Sequence, residues 1–169
     1  MGQEIERRFL VNADAWRPGA QGQVLKQGYV SVEPARTVRV RIAGDQAWLT
    51  LKGQQTALTR LEFEYPIPVA DAEQMLASPM CPMVIEKVRY RIPAGQGLVW
   101  EVDEFDGANA GLVLAEIELP DEQSRFDCPS WLGAEVSYDS RYTNAYLSQN
   151  SFGGWSEAQR KLVLEDMKS

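Results

Sequence analysis

The sequence predicts a mainly β protein of the α+β class, an eight-stranded antiparallel barrel followed by helices. Two observations lead to this prediction. Eight segments of strand length alternate apolar with polar or charged side chains, and turn-rich connections join them in a mostly meander order. After Pro120 the alternation ends and helical patterns begin. The 169 residues suit one domain over 1–169, with a barrel over about 2–119 and a helical part over about 129–168.

The first predicted strand carries a row of charge that is unusual for a strand. A period of two places Glu4, Glu6 and Arg8 on one face. Neighbouring carboxylates repel each other and glutamate is not favoured in strands, so we expect something to compensate them. A hard divalent cation is the simplest candidate, because such ions take carboxylate oxygens as ligands. The predicted strands are residues 3–11, 24–32, 36–42, 47–52, 58–67, 84–92, 98–105 and 112–119.

The later strands repeat this separation of charged from apolar faces. The third and fourth strands form a predicted hairpin around Gly44 and Asp45, and a short helix over 71–77 separates the fifth strand from the sixth. The charged faces of the third to eighth strands carry, in order, Arg39 and Arg41; Lys52; Arg60, Glu62 and Glu64; Lys87 and Arg89; Glu101 and Asp103; and Glu116 and Glu118.

Helical patterns follow the barrel sequence. A short helical turn is predicted over 129–132, and helices are predicted over 141–149 and 156–167, with Ser156 as N-cap. Apolar residues 162–164 would cover the barrel exterior, a role that a second subunit in a homodimer could also serve. We expect the tyrosines, including Tyr29, and the five tryptophans to be packing residues rather than ligands.

The composition excludes several functional classes. The chain has no histidine, which excludes a Ser-His-Asp triad, a Cys-His pair and a histidine-ligated zinc site. A net charge of −7 argues against nucleic-acid binding. Neither a membrane-spanning apolar run nor a signal peptide is present, so we expect a cytoplasmic protein. Cys81 and Cys128 lie far apart, which favours free thiols over a disulfide.

Alternation alone does not decide which face is inside. An antiparallel sheet with its charged face in solvent is one interpretation. The other places the charge inside, because the charged face recurs on nearly every strand and its signs are largely sorted by strand. Buried unpaired charge is costly, so such an interior would have to hold water, cations and a polyanion. Lysine and arginine grip phosphate oxygens while a metal bridges carboxylates and phosphates, so polyphosphate fits this interior.

The motifs on these strands resemble the CYTH superfamily, also called triphosphate tunnel metalloenzymes. Glu4-Ile5-Glu6-Arg7-Arg8 resembles the opening Glu-x-Glu-x-Lys signature. Further motifs follow in the same order to about Leu147, which makes the resemblance specific. They include Thr37-Val38-Arg39-Val40-Arg41, Leu49-Thr50-Leu51-Lys52, Arg60-Leu61-Glu62-Phe63-Glu64, Lys87-Val88-Arg89-Tyr90, Trp100-Glu101-Val102-Asp103, Ala115-Glu116-Ile117-Glu118 and Arg141-Tyr142-Thr143-Asn144.

The resemblance implies a closed eight-stranded tunnel whose charged lumen binds a triphosphate with Mg²⁺ or Mn²⁺. The expected metal ligands are Glu4, Glu6, Glu116 and Glu118. The expected phosphate clamp is Arg8, Arg39, Arg41, Lys52, Arg60, Lys87 and Arg89. Glu62, Glu64, Glu101 and Asp103 would support the clamp through ion pairs. For catalysis we expect Lys87 or Lys52 as a base with a lowered pKa, or a metal and the nearby carboxylates, Glu116 included, to activate water.

The resemblance leaves several functions open. Inorganic tripolyphosphate is the expected substrate, with class IV adenylate cyclase or thiamine triphosphatase activity as alternatives and a non-catalytic polyphosphate-binding or nucleotide-binding module as a third. Arg8 stands where the signature has lysine. Arginine keeps the charge but cannot lose a proton at working pH, so a role of that lysine in proton transfer would change here.

Overall fold

The computed structural model describes residues 2–168 as a single antiparallel sheet with three α-helices. Alternate side chains of each strand of the ring point inward. Their bounds are β1 Gly2–Val11, β2 Gly22–Ser31, β3 Thr37–Ala43, β4 Gln46–Gln54, β5 Thr59–Ile67, β6 Val84–Gly95, β7 Leu98–Phe105, β8 Val113–Glu118 and β9 Leu132–Glu135. The helices are α1 Val69–Ala77, α2 Asn144–Gln149 and α3 Glu157–Lys168.

The sheet closes on itself into a ring. Its strand order is β5-β4-β3-β2-β6-β7-β8-β1-β9, and β1 also pairs with β5. The first half of β1 pairs with β5, with Gly2 opposite Glu62, and the second half pairs with β8, with Arg8 opposite Glu116. All pairs are antiparallel, so the predicted fold class is confirmed and the ring has no open edge between β1 and β5.

The ninth strand corrects the sequence prediction for residues 129–132. A turn is present there, with the Leu132 amide donating to the Pro129 carbonyl, but Leu132 then begins β9. β9 pairs with β1 beyond the point where β5 leaves it, and the Val136 amide donates to the Arg8 carbonyl at 2.8 Å. The strand forms because this stretch of β1 would otherwise leave backbone groups unpaired.

The C-terminal helices form where helical patterns predict them, with one break. A 3₁₀ turn over Ser140–Tyr142 precedes α2, because Thr143 is extended and its hydroxyl accepts from the Tyr146 amide as the N-cap. Ser156 caps α3 as predicted, since its hydroxyl accepts from the Gln159 amide. None of the helices within residues 2–168 combines the length and apolar character needed to cross a membrane.

Apolar side chains cover much of the outside of the ring. Helix α1 packs Ala72 and Leu76 against Val40 and Ala47 of the neighbouring strands. Gly28 of β2 permits this close approach, because a Cβ there would lie 2.9 Å from Leu76 Cδ2. The connections after β1 and β8 cover another part of the exterior with Trp16, Phe126 and Trp131.

The C-terminal helices fill one end of the ring rather than cover its exterior. The inward rows change there from ionised to apolar, so that Leu10, Ile85, Phe105 and Leu114 are the next inward positions beyond the charged ones at that end of each strand. These four pack with Leu147 of α2 and Val163 of α3 in one cluster. Leu162 and Leu164 are exposed, which corrects the prediction that residues 162–164 cover the exterior.

Candidate active site

The ionised faces of the strands point into the ring and line a cavity of about 540 Å³. Side chains of directly opposed residues share a face, so the register of Glu6 with Glu118 and of Lys52 with Glu62 places both pairs inside. Of the site residues predicted from sequence, the cavity lining contains Glu4, Glu6, Arg8, Arg39, Arg41, Lys52, Arg60, Glu62, Glu64, Arg89, Glu101, Glu116 and Glu118.

Two predicted site residues lie behind this lining. Lys87 is 0 % exposed and Asp103 is 1 % exposed. Lys87 Nζ donates to Asp103 Oδ2 at 2.6 Å and to Asn144 Oδ1 at 3.0 Å. Burial lowers the pKa of Lys87 to about 7 despite the adjacent Asp103 carboxylate. Its position fits a side chain that holds its neighbours rather than one that contacts a ligand in the cavity.

Part of the cavity wall is acidic and only partly compensated. Burial, and then the neighbouring Glu116 and Glu4, raise the pKa of Glu6 to about 8. Burial also raises the pKa of Glu118, which faces Glu4 and other acids. Glu116 differs, because Arg8 and other cations outweigh its burial and hold its pKa well below the usual range. The wall therefore has acid groups that a further cation would stabilise in their ionised form.

The predicted clamp residues hold many of these acids through ion pairs. Arg8 bridges two of them, with one guanidinium nitrogen 2.8 Å from Glu6 and Nε 3.2 Å from Glu116. Lys52 Nζ lies 3.0 Å from both Glu4 and Glu62. Such pairs fix the cations in place when nothing else is bound.

The basic side of the cavity contains cationic groups that lack a full set of partners. Arg39 reaches Glu64 at 3.3 Å, but its buried Nε has no hydrogen-bond partner within residues 2–168. Arg41 has no ion pair among residues 2–168, and its Nε donates instead to Gln27 Oε1 at 2.8 Å. Burial, and then Arg39 and Arg89, lower the pKa of Arg41 to about 9. An anion in the cavity would give both guanidiniums additional hydrogen-bond acceptors, and would give Arg41 a counter-ion.

Several lining residues were missed or given another role by the sequence prediction. Tyr29, for which packing was expected, lines the cavity, as do Tyr138, Asn144 and Tyr146 from the C-terminal part. The register offers a signal for Tyr29, because it lies opposite Arg39 on the same face. Asn144 ends the last motif of the resemblance, which gave it no role, and nothing in the local pattern points to Tyr138 or Tyr146. Asn144 and Tyr146 reach the cavity through the packing of α2.

The acidic residues are of the type that binds a divalent cation, but they are not arranged to coordinate one. Carboxylate oxygens are the ligands that Mg²⁺ and Mn²⁺ favour, and Glu6 and Glu118 lie directly opposite each other on the cavity wall. Within residues 2–168, no three acidic or thiol side chains are gathered closely enough to coordinate one ion. In this arrangement Lys52 pairs with Glu4, and Arg8 pairs with both Glu6 and Glu116.

Comparison with known proteins gives consistent matches over most of the chain. The family model described as the CYTH domain matches residues 2–146. An inorganic triphosphatase of Acetivibrio thermocellus is 46 % identical over 157 residues, covering 93 % of this chain and 100 % of that protein. An inorganic triphosphatase of Nitrosomonas europaea is 35 % identical over 151 residues, covering 86 % and 96 %.

Solved structures match as well. The crystal structure of the inorganic triphosphatase NE1496 superimposes with a TM-score of 0.63 at 33 % identity, covering 88 % of this chain and 95 % of that one. A Hippeastrum protein described as a putative adenylyl cyclase with a dominant triphosphatase activity matches with a TM-score of 0.55 at 16 % identity, covering 72 % and 80 %. That second match shows a shared fold only.

Proposed function

The chain belongs to the CYTH domain family, as its motifs indicate, and on this premise we propose that it is a metal-dependent inorganic triphosphatase. It hydrolyses inorganic tripolyphosphate to pyrophosphate and phosphate inside the ring. The observation that carries the proposal is the pair of incompletely partnered guanidiniums, Arg39 and Arg41, in the same cavity as the incompletely compensated acids Glu6 and Glu118. A triphosphate and a divalent cation supply both missing charges.

The clamp residues bind the phosphate chain by charge-assisted hydrogen bonds. Arginine offers a fork of donors that matches two phosphate oxygens, and such contacts are stronger than neutral hydrogen bonds. The proposed clamp consists of Arg8, Arg39, Arg41, Lys52, Arg60 and Arg89. Glu62, Glu64, Glu101 and Asp103 keep it in position, and Lys87 acts from behind the wall through Asp103 and Asn144.

The proposed metal ligands are Glu4, Glu6, Glu116 and Glu118, with Mg²⁺ or Mn²⁺ as the ion. When bound, the ion neutralises phosphate charge and helps to ionise the attacking water. Lys52 pairs with Glu4 and Arg8 pairs with Glu116, so an ion held by these carboxylates would free both cations to contact phosphate oxygens.

Catalysis then depends on a positioned water and on charge stabilisation around the reacting phosphoryl group. Glu116 keeps its carboxylate ionised at neutral pH, so it can orient that water by accepting a hydrogen bond from it, and the proton that the water loses passes to a phosphate oxygen of the substrate. The P–O bond to the leaving pyrophosphate breaks as the water oxygen bonds to phosphorus. Lys52 and the arginines stabilise the negative charge on the phosphoryl oxygens, which is the main contribution a protein makes to such transfers.

Phosphate release separates the candidate functions. Purified protein is incubated with Mg²⁺ or Mn²⁺ and either tripolyphosphate or ATP, with metal chelated by EDTA as control. We expect metal-dependent phosphate release from tripolyphosphate and little from ATP. Formation of cyclic AMP from ATP, or binding of tripolyphosphate without turnover, would contradict the proposal.

A further inference from the structure

Arg41 differs from the other clamp cations in the chemistry of its partner. Arg8, Arg39, Lys52 and Arg89 each lie within 3.3 Å of a carboxylate oxygen. Arg41 has no carboxylate within 4.0 Å in the part of the chain from residue 2 to 168, and it donates to the side-chain amide oxygen of Gln27 instead. Its guanidinium is therefore oriented by a neutral group and keeps its full charge.

The Gln27 amide has its orientation fixed by a chain of hydrogen bonds. Gln27 is 0 % exposed and lies directly opposite Arg41 in the β2–β3 register. Lys87 Nζ donates to Asp103 and to Asn144, so Asn144 turns its oxygen toward Lys87 Nζ at 3.0 Å. The same oxygen accepts from Gln27 Nε2 at 3.1 Å, which leaves Gln27 Oε1 facing Arg41. The order of donors and acceptors from Lys87 to Arg41 thus permits only one orientation of the Gln27 amide.

We propose that Gln27 is a positioning residue for the phosphate chain, which aims the Arg41 guanidinium into the cavity without neutralising it. Asn144 takes part from α2, so the C-terminal helix that fills one end of the ring also sets the geometry of the clamp. This inference rests on the proposed function, because the anion that Arg41 awaits is the triphosphate. A carboxylate at position 27 would have nearly the same shape but would pair with Arg41 and repel phosphate.

The chain supplies a matched control on the same strand. Gln23 Oε1 accepts from Arg91 at 3.1 Å, which is the same glutamine–arginine contact. Arg91 is more than half exposed and already pairs with Glu101 at 3.4 Å, so a new carboxylate beside it changes little. Gln23→Glu therefore introduces the same charge on the same strand, but beside an arginine that already has a carboxylate partner.

The test compares Gln27→Glu and Gln23→Glu with the wild type. We expect Gln27→Glu to raise KM for tripolyphosphate by about tenfold or more, with a smaller change in kcat, because a clamp contact to phosphate is lost. Gln23→Glu should stay within about twofold of wild type. Titration calorimetry with tripolyphosphate in EDTA should give the same order of Kd values. Circular dichroism and Tm establish that each variant is folded.

The outcomes distinguish a failure of this inference from a failure of the proposed function. A folded Gln27→Glu protein with wild-type KM and Kd would overturn the positioning role. If Gln27→Glu does not fold, Gln27→Met decides, because it removes the orientation without adding charge and should still raise KM and Kd. Wild-type protein that binds tripolyphosphate in EDTA but releases no phosphate with metal would refute the proposed hydrolysis, while the Kd comparison would still test Gln27.

Discussion

At the scale of single residues, the proposed clamp contains cations that also hold a buried acid and a cation, Arg41, that does not. Arg89 contacts Asp103 through Nε at 2.7 Å and through a second nitrogen at 2.9 Å, and Asp103 is buried with no access to solvent. Arg41, by contrast, donates to a neutral amide, has no carboxylate partner in the described part of the chain, and is repelled by Arg39 and Arg89. The two arginines should therefore respond differently to removal of their charge.

We predict that Arg41→Met changes the free energy of unfolding by less than about 1 kcal/mol, because the loss of one hydrogen bond is offset by relief of repulsion. Arg89→Met should lower it by about 3–5 kcal/mol, because it removes the bidentate partner of buried Asp103. Urea denaturation in EDTA measures both. Equal losses in the two variants would mean that Arg41 is also a structural cation.

At the scale of elements, β1 carries the acids whose charge depends most on what else is in the cavity. Glu6 holds its proton to about pH 8 in the folded protein because it is buried beside Glu116 and Glu4. An unfolded chain releases that proton near pH 4.5. Between these values the folded state binds more protons than the unfolded state, so the stability that Glu6 contributes is lost as pH rises.

We predict that the metal-free protein loses stability between about pH 4.5 and pH 7, by up to a few kcal/mol, and that Glu6→Gln flattens this part of the profile; above pH 7 the lowered pKa of Lys87 acts in the opposite direction. Denaturation in EDTA across this range gives the profile, with the exposed Glu73→Gln as control. A Glu6→Gln protein with the wild-type slope would assign the pH dependence to other groups. The Glu73→Gln protein should keep that slope.

The strands and helices also show which parts of the fold could be predicted from the sequence alone. Alternation over β1 and β3–β8 predicted the strands and the residues that share each charged face, because a period of two is a local property. It missed β9, which forms only because β1 has an unpaired stretch beyond β5. It also missed the contribution of Asn144 and Gln27, since their hydrogen bonds join residues 117 positions apart.

At the scale of the whole molecule, closure of the ring makes the charged interior possible. Gly2 pairs with Glu62 and Arg8 with Glu116, so β1 joins two strands that are distant in sequence and seals the sheet. A protein of net charge −7 thereby keeps a set of arginines and lysines on the inside, where bulk acidity does not neutralise them. A homodimer stays a prediction. The outer face of β4 and β5 is apolar and exposed at Leu51, Phe63 and Tyr65, so it is the surface on which a second subunit would be tested for.

The most direct test of the central claim is a crystal structure with tripolyphosphate and Mn²⁺, using the anomalous signal of manganese to locate the ion. We predict that the phosphates lie inside the ring in contact with Arg39 and Arg41, and that the manganese peak lies between the phosphates and Glu4, Glu6 or Glu118. Phosphates bound on the outer surface, or a manganese ion away from these glutamates, would contradict the account.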